Sequence, residues 1–229
     1  MPEVDKYAVI VAGGSGTRMG SAVPKQFLLL SGKPVLYYSI AAFLEAFTDI
    51  KIILVLPNGH EYYTTSLLEL FPSSANITVV NGGETRYHSV QNGLKKVHGE
   101  AVVFIHDGVR PMVSKQLIHA CYTQALEKGS AIPAIPVTDS IRMVRSGGSD
   151  PVSREELRII QTPQTFLSRI ILPAFAQEYS TLFTDEATVA EAYGNEVYLV
   201  AGERSNLKVT TPEDMILAEA LLNARLKNE

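Results

Sequence analysis

The stretch that decides the fold is YAVIVAGGSGTRMG, residues 7–20. Its first part, Tyr7–Ala12, is a continuous apolar run. From there the chain enters Ala12-Gly13-Gly14-Ser15-Gly16-Thr17-Arg18-Met19-Gly20. A short apolar run without alternation reads as a strand covered on both faces. A glycine-rich turn at the carboxyl end of the first strand is where an open α/β sheet receives phosphate. Glycines let backbone N–H groups converge on an anion without side-chain clash. Taken alone, the turn is a weak signal, because a tight connection is the other reading of the same string.

Working outward, the pattern repeats. Apolar runs that read as strands are Tyr7–Ala12, Lys51–Pro57, Asn76–Asn81, Ala101–His106, Ser130–Val137 and Glu196–Ala201. Helical patterns lie between and after them, over Pro34–Phe47, Glu61–Phe71, Tyr87–Val97, Ser114–Lys128, Asp185–Tyr193 and Pro212–Lys227. The last is the best signalled: Thr211 suits the cap, Pro212 the first helical position, and Glu213 and Asp214 the positive end of the dipole. This alternation predicts an α/β fold with a mainly parallel twisted sheet flanked by helices. Residues 138–162, TDSIRMVRSGGSDPVSREELRIIQT, break the rhythm. Gly147-Gly148 at the centre, with period-2 hints on both sides, predicts a protruding β-arm. Such an arm either packs on a partner subunit or is a plain surface hairpin.

Length and composition set the bounds. A chain of 229 residues is close to one large domain. With 46% hydrophobic and 19% charged residues it has the material for a sizeable core, which excludes a disordered or collagen-like chain. The single cysteine, Cys121, excludes an intramolecular disulfide and fits a reducing compartment. A net charge of −4 and a pI of about 5.8 argue against duplex nucleic acid as a partner. Tyr7–Ala12 is far short of the roughly 20 residues of a membrane span, and it follows Glu3 and Asp5 instead of a basic stretch. The expectation is a cytoplasmic protein without membrane or nucleic-acid partners.

Two familiar phosphate motifs fail on spacing. The dinucleotide fingerprint needs G-x-G-x-x-G, but Gly14-x-Gly16 reaches Gly20 one residue late. Pro24 would interrupt the helix that should follow, and the second strand ends in Pro57-Asn58, with no acid for a ribose. The string G-x-x-x-x-G-K-[ST] does not occur. What remains is the glycine loop with Arg18 and Pro24-Lys25, two cations suited to a polyphosphate.

Downstream, Asp107 follows a buried strand, where an aspartate holds a divalent metal or caps a turn. Lys208, between Leu207 and Val209, is a half-buried strand lysine that meets an anion or snorkels to solvent. Gly82-Gly83 opens another helix, whose N-terminus can receive polar ligand groups. No His/Cys cluster has zinc spacing, and no G-x-S-x-G elbow or H-E-x-x-H string exists.

Taken together, these blocks resemble a known family. The residues that carry the likeness are Ala12 to Met19 with Pro24-Lys25, Gly82-Gly83 through Ser89, His106-Asp107-Gly108-Val109-Arg110-Pro111, Gln161-Thr162-Pro163-Gln164, Thr184-Asp185-Glu186-Ala187 and Asn206-Leu207-Lys208-Val209-Thr210. In order, over essentially the whole chain, they resemble the 2-C-methyl-D-erythritol 4-phosphate cytidylyltransferases of the non-mevalonate isoprenoid pathway. The ribitol-5-phosphate cytidylyltransferases share the glycine loop, the His-Asp block and Gln-Thr-Pro-Gln. Thr184-Asp185-Glu186-Ala187 and Val137-Thr138-Asp139-Ser140-Ile141 favour the former. The chain departs from the usual Asp-Ala-Ala-Arg-Pro at Gly108-Val109, carries Glu84 where Asp is common, and has Tyr87-His88 in place of a smaller, more acidic pair.

The resemblance implies a single Rossmann-like nucleotidyltransferase domain over 1–229, with the arm near 138–162 serving a homodimer. It implies that CTP and a sugar-alcohol phosphate react with Mg²⁺. Arg18, Lys25 and Lys208 would be catalytic. Ala12, Gly13, Gly14, Ser15, Gly16, Gly82, Ser89, Asp107 and Gly108 would meet the nucleotide, and Asp107 also the metal. Arg110, Arg154, Thr162 and Thr184 would meet the acceptor, Arg154 across the dimer interface. A non-catalytic nucleotide-binding protein would be expected to lose one of the cations or the aspartate, yet Arg18, Lys25, Asp107 and Lys208 are all present.

Overall fold

The structure, a computed structural model, describes residues 4–13, 23–72 and 76–227. Its strands are β1 Asp5–Val11, β2 Leu29–Leu30, β3 Lys33–Pro34, β4 Lys51–Leu56, β5 Ile77–Asn81, β6 Ala101–Asp107, β7 Ser130–Pro136, β8 Ile141–Arg145, β9 Gly148–Val152, β10 Arg158–Ile160, β11 Gln164–Leu167 and β12 Leu199–Ala201. Its helices are α1 Val35–Ala46, α2 Glu61–Leu68, α3 Arg86–Leu94, α4 Lys115–Lys128, α5 Ser168–Ala174, α6 Glu186–Ala192 and α7 Pro212–Leu226.

At the centre β1 pairs in parallel with β4 and β6, and β4 with β5. Strand β11 runs antiparallel to β6 and β7, while β7 also takes β10 and β12. Alternate residues of β1 enter opposite cores. Ala8 and Ile10 join Phe43, Leu54 and Phe104 on the α1/α4 side. Val9 and Val11 join Val55, Val103 and Ile105 on the α3/α5 side. Burial on both faces is what removed the alternation from the sequence of the central strands. Helix α3 sits close on the sheet because Gly93 has no side chain: a Cβ there would lie 2.6 Å from Val9 Cγ1 and 2.9 Å from Val55 Cγ2.

The expected class, a mainly parallel sheet flanked by helices with a protruding hairpin, is the class observed. Strands β8 and β9 pair with each other alone, around Gly147 at φ +88°. The irregular segment is shorter than its sequence suggested, since Arg158–Ile160 returns to the main sheet as β10. Three expectations are corrected. The strand at 76–81 is not covered on both faces, because it ends the sheet. The run expected at 196–201 is a strand only over Leu199–Ala201. The antiparallel strand β11 and helix α5 were not anticipated. Helix ends follow their caps: Asp185 caps α6 from outside, and Asp214 accepts from the Thr211 N–H at 2.8 Å at the start of α7. Among the described residues no helix is long and apolar enough to cross a membrane.

Candidate active site

A cavity of about 270 Å³ opens at the carboxyl ends of β1 and β6. Its floor is Val11, Ala12 and Gly13, and its sides carry Lys25, Gln26, Arg86, Ser89, Asp107 and Lys208. Each wall is fixed by the backbone around it. Gln26 Nε2 donates to the Ala12 carbonyl at 2.8 Å and holds the end of β1. On α3, Ser89 Oγ accepts from Gly83 N–H at 3.1 Å and donates to the Thr85 carbonyl at 2.9 Å, which folds the Gly82-Gly83 turn against the helix. Val209 N–H donates to the Val109 carbonyl at 2.8 Å, carrying Lys208 over the end of β6.

Asp107 is the electrostatic centre. Its Oδ1 lies 3.2 Å from Arg86 Nε, and its Oδ2 lies 3.0 Å from Lys208 Nζ and 3.5 Å from Arg110 Nε. Burial opposes ionisation of this carboxyl, but Arg86, Lys208 and Arg110 outweigh it and hold the pKa well below the usual carboxylate range. Arg86 turns its other nitrogens to Glu186, with Nη2 3.1 Å from Oε2 and Nη1 bonded to Oε1. Burial works against the Arg86 charge too, and the two carboxylates outweigh it, raising its pKa. Burial raises the Glu186 carboxyl above its ordinary value, with Arg86 pulling the other way.

Behind the cavity a buried polar chain sets the backbone of β6. Thr162 Oγ1 accepts from Asp107 N–H at 3.0 Å and lies 3.1 Å from His106 Nδ1. The Arg110 carbonyl beside Nε2 can only accept, so Nε2 carries the ring proton and the Thr162 hydroxyl donates to the bare Nδ1. His106 is then the Nε2–H tautomer, donating to the Arg110 carbonyl at 3.2 Å. Burial lowers its pKa to about 4, so the ring is neutral at pH 7. Asn206 Nδ2 donates to the Thr162 carbonyl, and the Asn206 carbonyl accepts from Arg110 Nη1, both at 2.8 Å.

The structure therefore brings Ala12, Gly13, Lys25, Ser89, Asp107 and Lys208 to one cavity. Gly82 stands behind Ser89, where a Cβ would lie 3.1 Å from its Oγ. Gly108 faces the core, where a Cβ would meet Leu36 Cδ1 at 2.7 Å. None of the four residues expected to meet the acceptor lines the cavity: Thr162 and Arg110 touch Asp107 from behind it, whereas Thr184 and Arg154 are exposed. Arg154 gives an Nη1–H to the Thr138 carbonyl at the root of the arm. Gly14, Ser15, Gly16 and Arg18 lie outside the described residues. Sequence reasoning did not single out Arg86, Glu186 or Gln26.

Among the described residues no three His, Cys, Asp or Glu side chains cluster to cage a metal. One ionised aspartate facing a polyphosphate-sized cavity fits the other mode, in which a cation such as Mg²⁺ takes one or two carboxylates and draws its remaining ligands from phosphate and water.

The chain is similar to known proteins over nearly its whole length. Residues 7–224 match the family described as 2-C-methyl-D-erythritol 4-phosphate cytidylyltransferase. The chain is similar to the protein of that name from Phocaeicola vulgatus, 46% identical, with 96% of this chain and 100% of that one covered. It is also similar to the one from Bacteroides fragilis, 46% identical over 95% and 99% of the two chains. Among solved structures, 4-diphosphocytidyl-2C-methyl-D-erythritol synthase from Anaerococcus prevotii superposes with a TM-score of 0.81 at 30% identity, covering 96% of this chain and 99% of that one. The 2-C-methyl-D-erythritol 4-phosphate cytidylyltransferase from Thermus thermophilus gives 0.74 at 31% identity, with 94% and 98% covered.

Proposed function

The chain belongs to the 2-C-methyl-D-erythritol 4-phosphate cytidylyltransferase family, and from that premise we propose that it transfers a cytidylyl group from CTP to 2-C-methyl-D-erythritol 4-phosphate. The products are 4-diphosphocytidyl-2-C-methyl-D-erythritol and pyrophosphate, and the step serves isoprenoid precursor synthesis. One observation supports this reading most: Lys25, Arg86 and Lys208 line a single cavity with the ionised Asp107, at the carboxyl ends of parallel strands.

The reaction is hindered by charge. A phosphate oxygen of the acceptor attacks the α-phosphorus of CTP, a new P–O bond forms, and the bond to the β-phosphate breaks. The nucleophile is already ionised at neutral pH, so no general base and no covalent enzyme intermediate are needed. Catalysis is positioning and neutralisation of charge. In this reading Lys25, with Arg18, holds the triphosphate and stabilises the leaving pyrophosphate. Lys208 reaches the α-phosphate from the opposite wall. Ala12 to Gly16, Gly82, Ser89 and Gly108 shape the pocket for cytidine. Arg110, Thr162, Thr184 and a partner's arm arginine equivalent to Arg154 receive the acceptor. Asp107 would hold Mg²⁺ together with phosphate oxygens, and the ion would offset charge on the triphosphate.

The reading extends to a cytoplasmic homodimer built through the arm. Two apolar side chains exposed on it, Met143 and Val144, support a second copy packing there. Lys25→Ala tests the catalytic part. Pyrophosphate release should lose about 10²–10³ in kcat, the scale for one transition-state charge contact, with the circular dichroism spectrum unchanged. Near-normal turnover would remove Lys25 from the mechanism.

A further inference from the structure

Among the described residues three cations sit on Asp107, and they are not equally free to leave it. Lys208 has a side chain 41% exposed on a flexible stem. Arg110 is tied to the Asn206 carbonyl. Arg86 is held hardest, because both of its Nη groups go to Glu186 and only Nε is left for Asp107.

Glu186 is fully buried on α6, a helix that puts no residue into the cavity wall. Burying a carboxylate is costly, and packing alone is usually served as well or better by an apolar side chain. The helix start is itself built to deliver Glu186: Gln164 Nε2 donates to Asp185 Oδ2 at 2.9 Å, and Gln164 Oε1 accepts from Ala187 N–H at 2.8 Å. Arg86, Arg110 and Lys208 against Asp107 and Glu186 leave the cluster one charge positive.

We infer that Glu186, acting through Arg86, is a positioning residue for Asp107: it occupies the guanidinium so that Arg86 steadies Oδ1 without competing for the whole carboxylate, and Oδ2 exchanges Lys208 for an incoming divalent cation. This rests on the proposed function, since it is the triphosphate that gives Lys208 a new partner. Loss of the Glu186 charge leaves Asp107 as the remaining anion for Arg86. The arginine then binds the aspartate harder, and the cation is recruited less well.

The test is CTP affinity by calorimetry without acceptor, once with EDTA and once with saturating Mg²⁺, in the parent chain and in Glu186→Gln. In the parent, Mg²⁺ should tighten CTP binding. In Glu186→Gln the metal-free affinity should be unchanged or tighter, because the cluster is now two charges positive. The gain from Mg²⁺ should fall about tenfold or more, the usual scale for losing a residue that orients a metal ligand. A residue that merely supports the fold would weaken both affinities together and leave the gain at the parent's value; either result overturns the inference.

Should Glu186→Gln not fold, Arg86→Lys carries the same test. It keeps the charge and loses the fork, so the gain should fall, and an unaltered gain overturns the inference. A parent that binds CTP but gains nothing from Mg²⁺ would overturn the inference and the cation role of Asp107 alone. A parent that binds no CTP would overturn the proposed function itself.

Discussion

His106 shows how one residue's place fixes its chemistry. It is fully buried between Thr162 and the Arg110 carbonyl, and burial takes its pKa from 6.5 to about 4. The folded-state value lies below the unfolded one, so the neutral ring contributes stability that is complete above pH 6.5. That contribution is lost as pH falls from 6.5 toward 4, where the unfolded chain takes up the proton first. At about 1.4 kcal/mol per pH unit the loss amounts to about 3 kcal/mol. Denaturant midpoints across pH 7 to 4 should fall more steeply for the parent than for His106→Gln, and parallel curves would contradict the assignment. The sequence showed this histidine only as part of a motif. Arg86 was legible in principle: a cation in the first turn of a helix opposes the dipole and calls for an anion nearby. The sequence pattern started that helix at Tyr87 and so hid the conflict, and the anion, Glu186, lies 100 residues along the chain.

The elements were most legible where one physical cause dominated. The central strands β1, β4 and β6 are covered on both faces and read as continuous apolar runs. Strand β11 was illegible because QTFL is short and its place depends on partners distant in sequence, β6 and β7. Helix α3 matters most for the site, since it carries Arg86 and Ser89. Its seat is Gly93, and Gly93→Ala tests it. Alanine would gain about 1 kcal/mol in helix propensity. The added methyl would meet two valines of β1 and β4 at under 3 Å, in strands with no room to yield, and such overpacking costs about 1–3 kcal/mol. The overpacking should win, lowering the denaturant midpoint along with turnover. A variant more stable than the parent would show that α3 is not seated by this contact.

At the scale of the whole molecule, the cavity holds Lys25 and Lys208, proposed for the triphosphate, while none of the four residues proposed for the acceptor lines it: Arg110 and Thr162 sit behind Asp107, and Arg154 and Thr184 are exposed elsewhere. The proposal accounts for Arg154 by a second copy whose arm reaches across. Arg154→Ala should therefore raise KM for the acceptor phosphate and leave CTP affinity unchanged, whereas weakened CTP binding with normal acceptor kinetics would contradict that placement. Fold class and the order of the blocks were readable from the sequence because strand burial and glycine turns are local. The convergence of Arg86, Lys208 and Arg110 on one aspartate, with Glu186 behind Arg86, was not, because it is made by β6, α3, α6 and the segment before α7 meeting in space.

The central claim concerns which acceptor the cytidylyl group reaches. Pyrophosphate release from CTP and Mg²⁺ should be measured in parallel with 2-C-methyl-D-erythritol 4-phosphate and with ribitol 5-phosphate. Turnover with the methylerythritol phosphate alone is the predicted result. Turnover with ribitol phosphate alone would leave the triphosphate site standing and contradict the assignment of the acceptor.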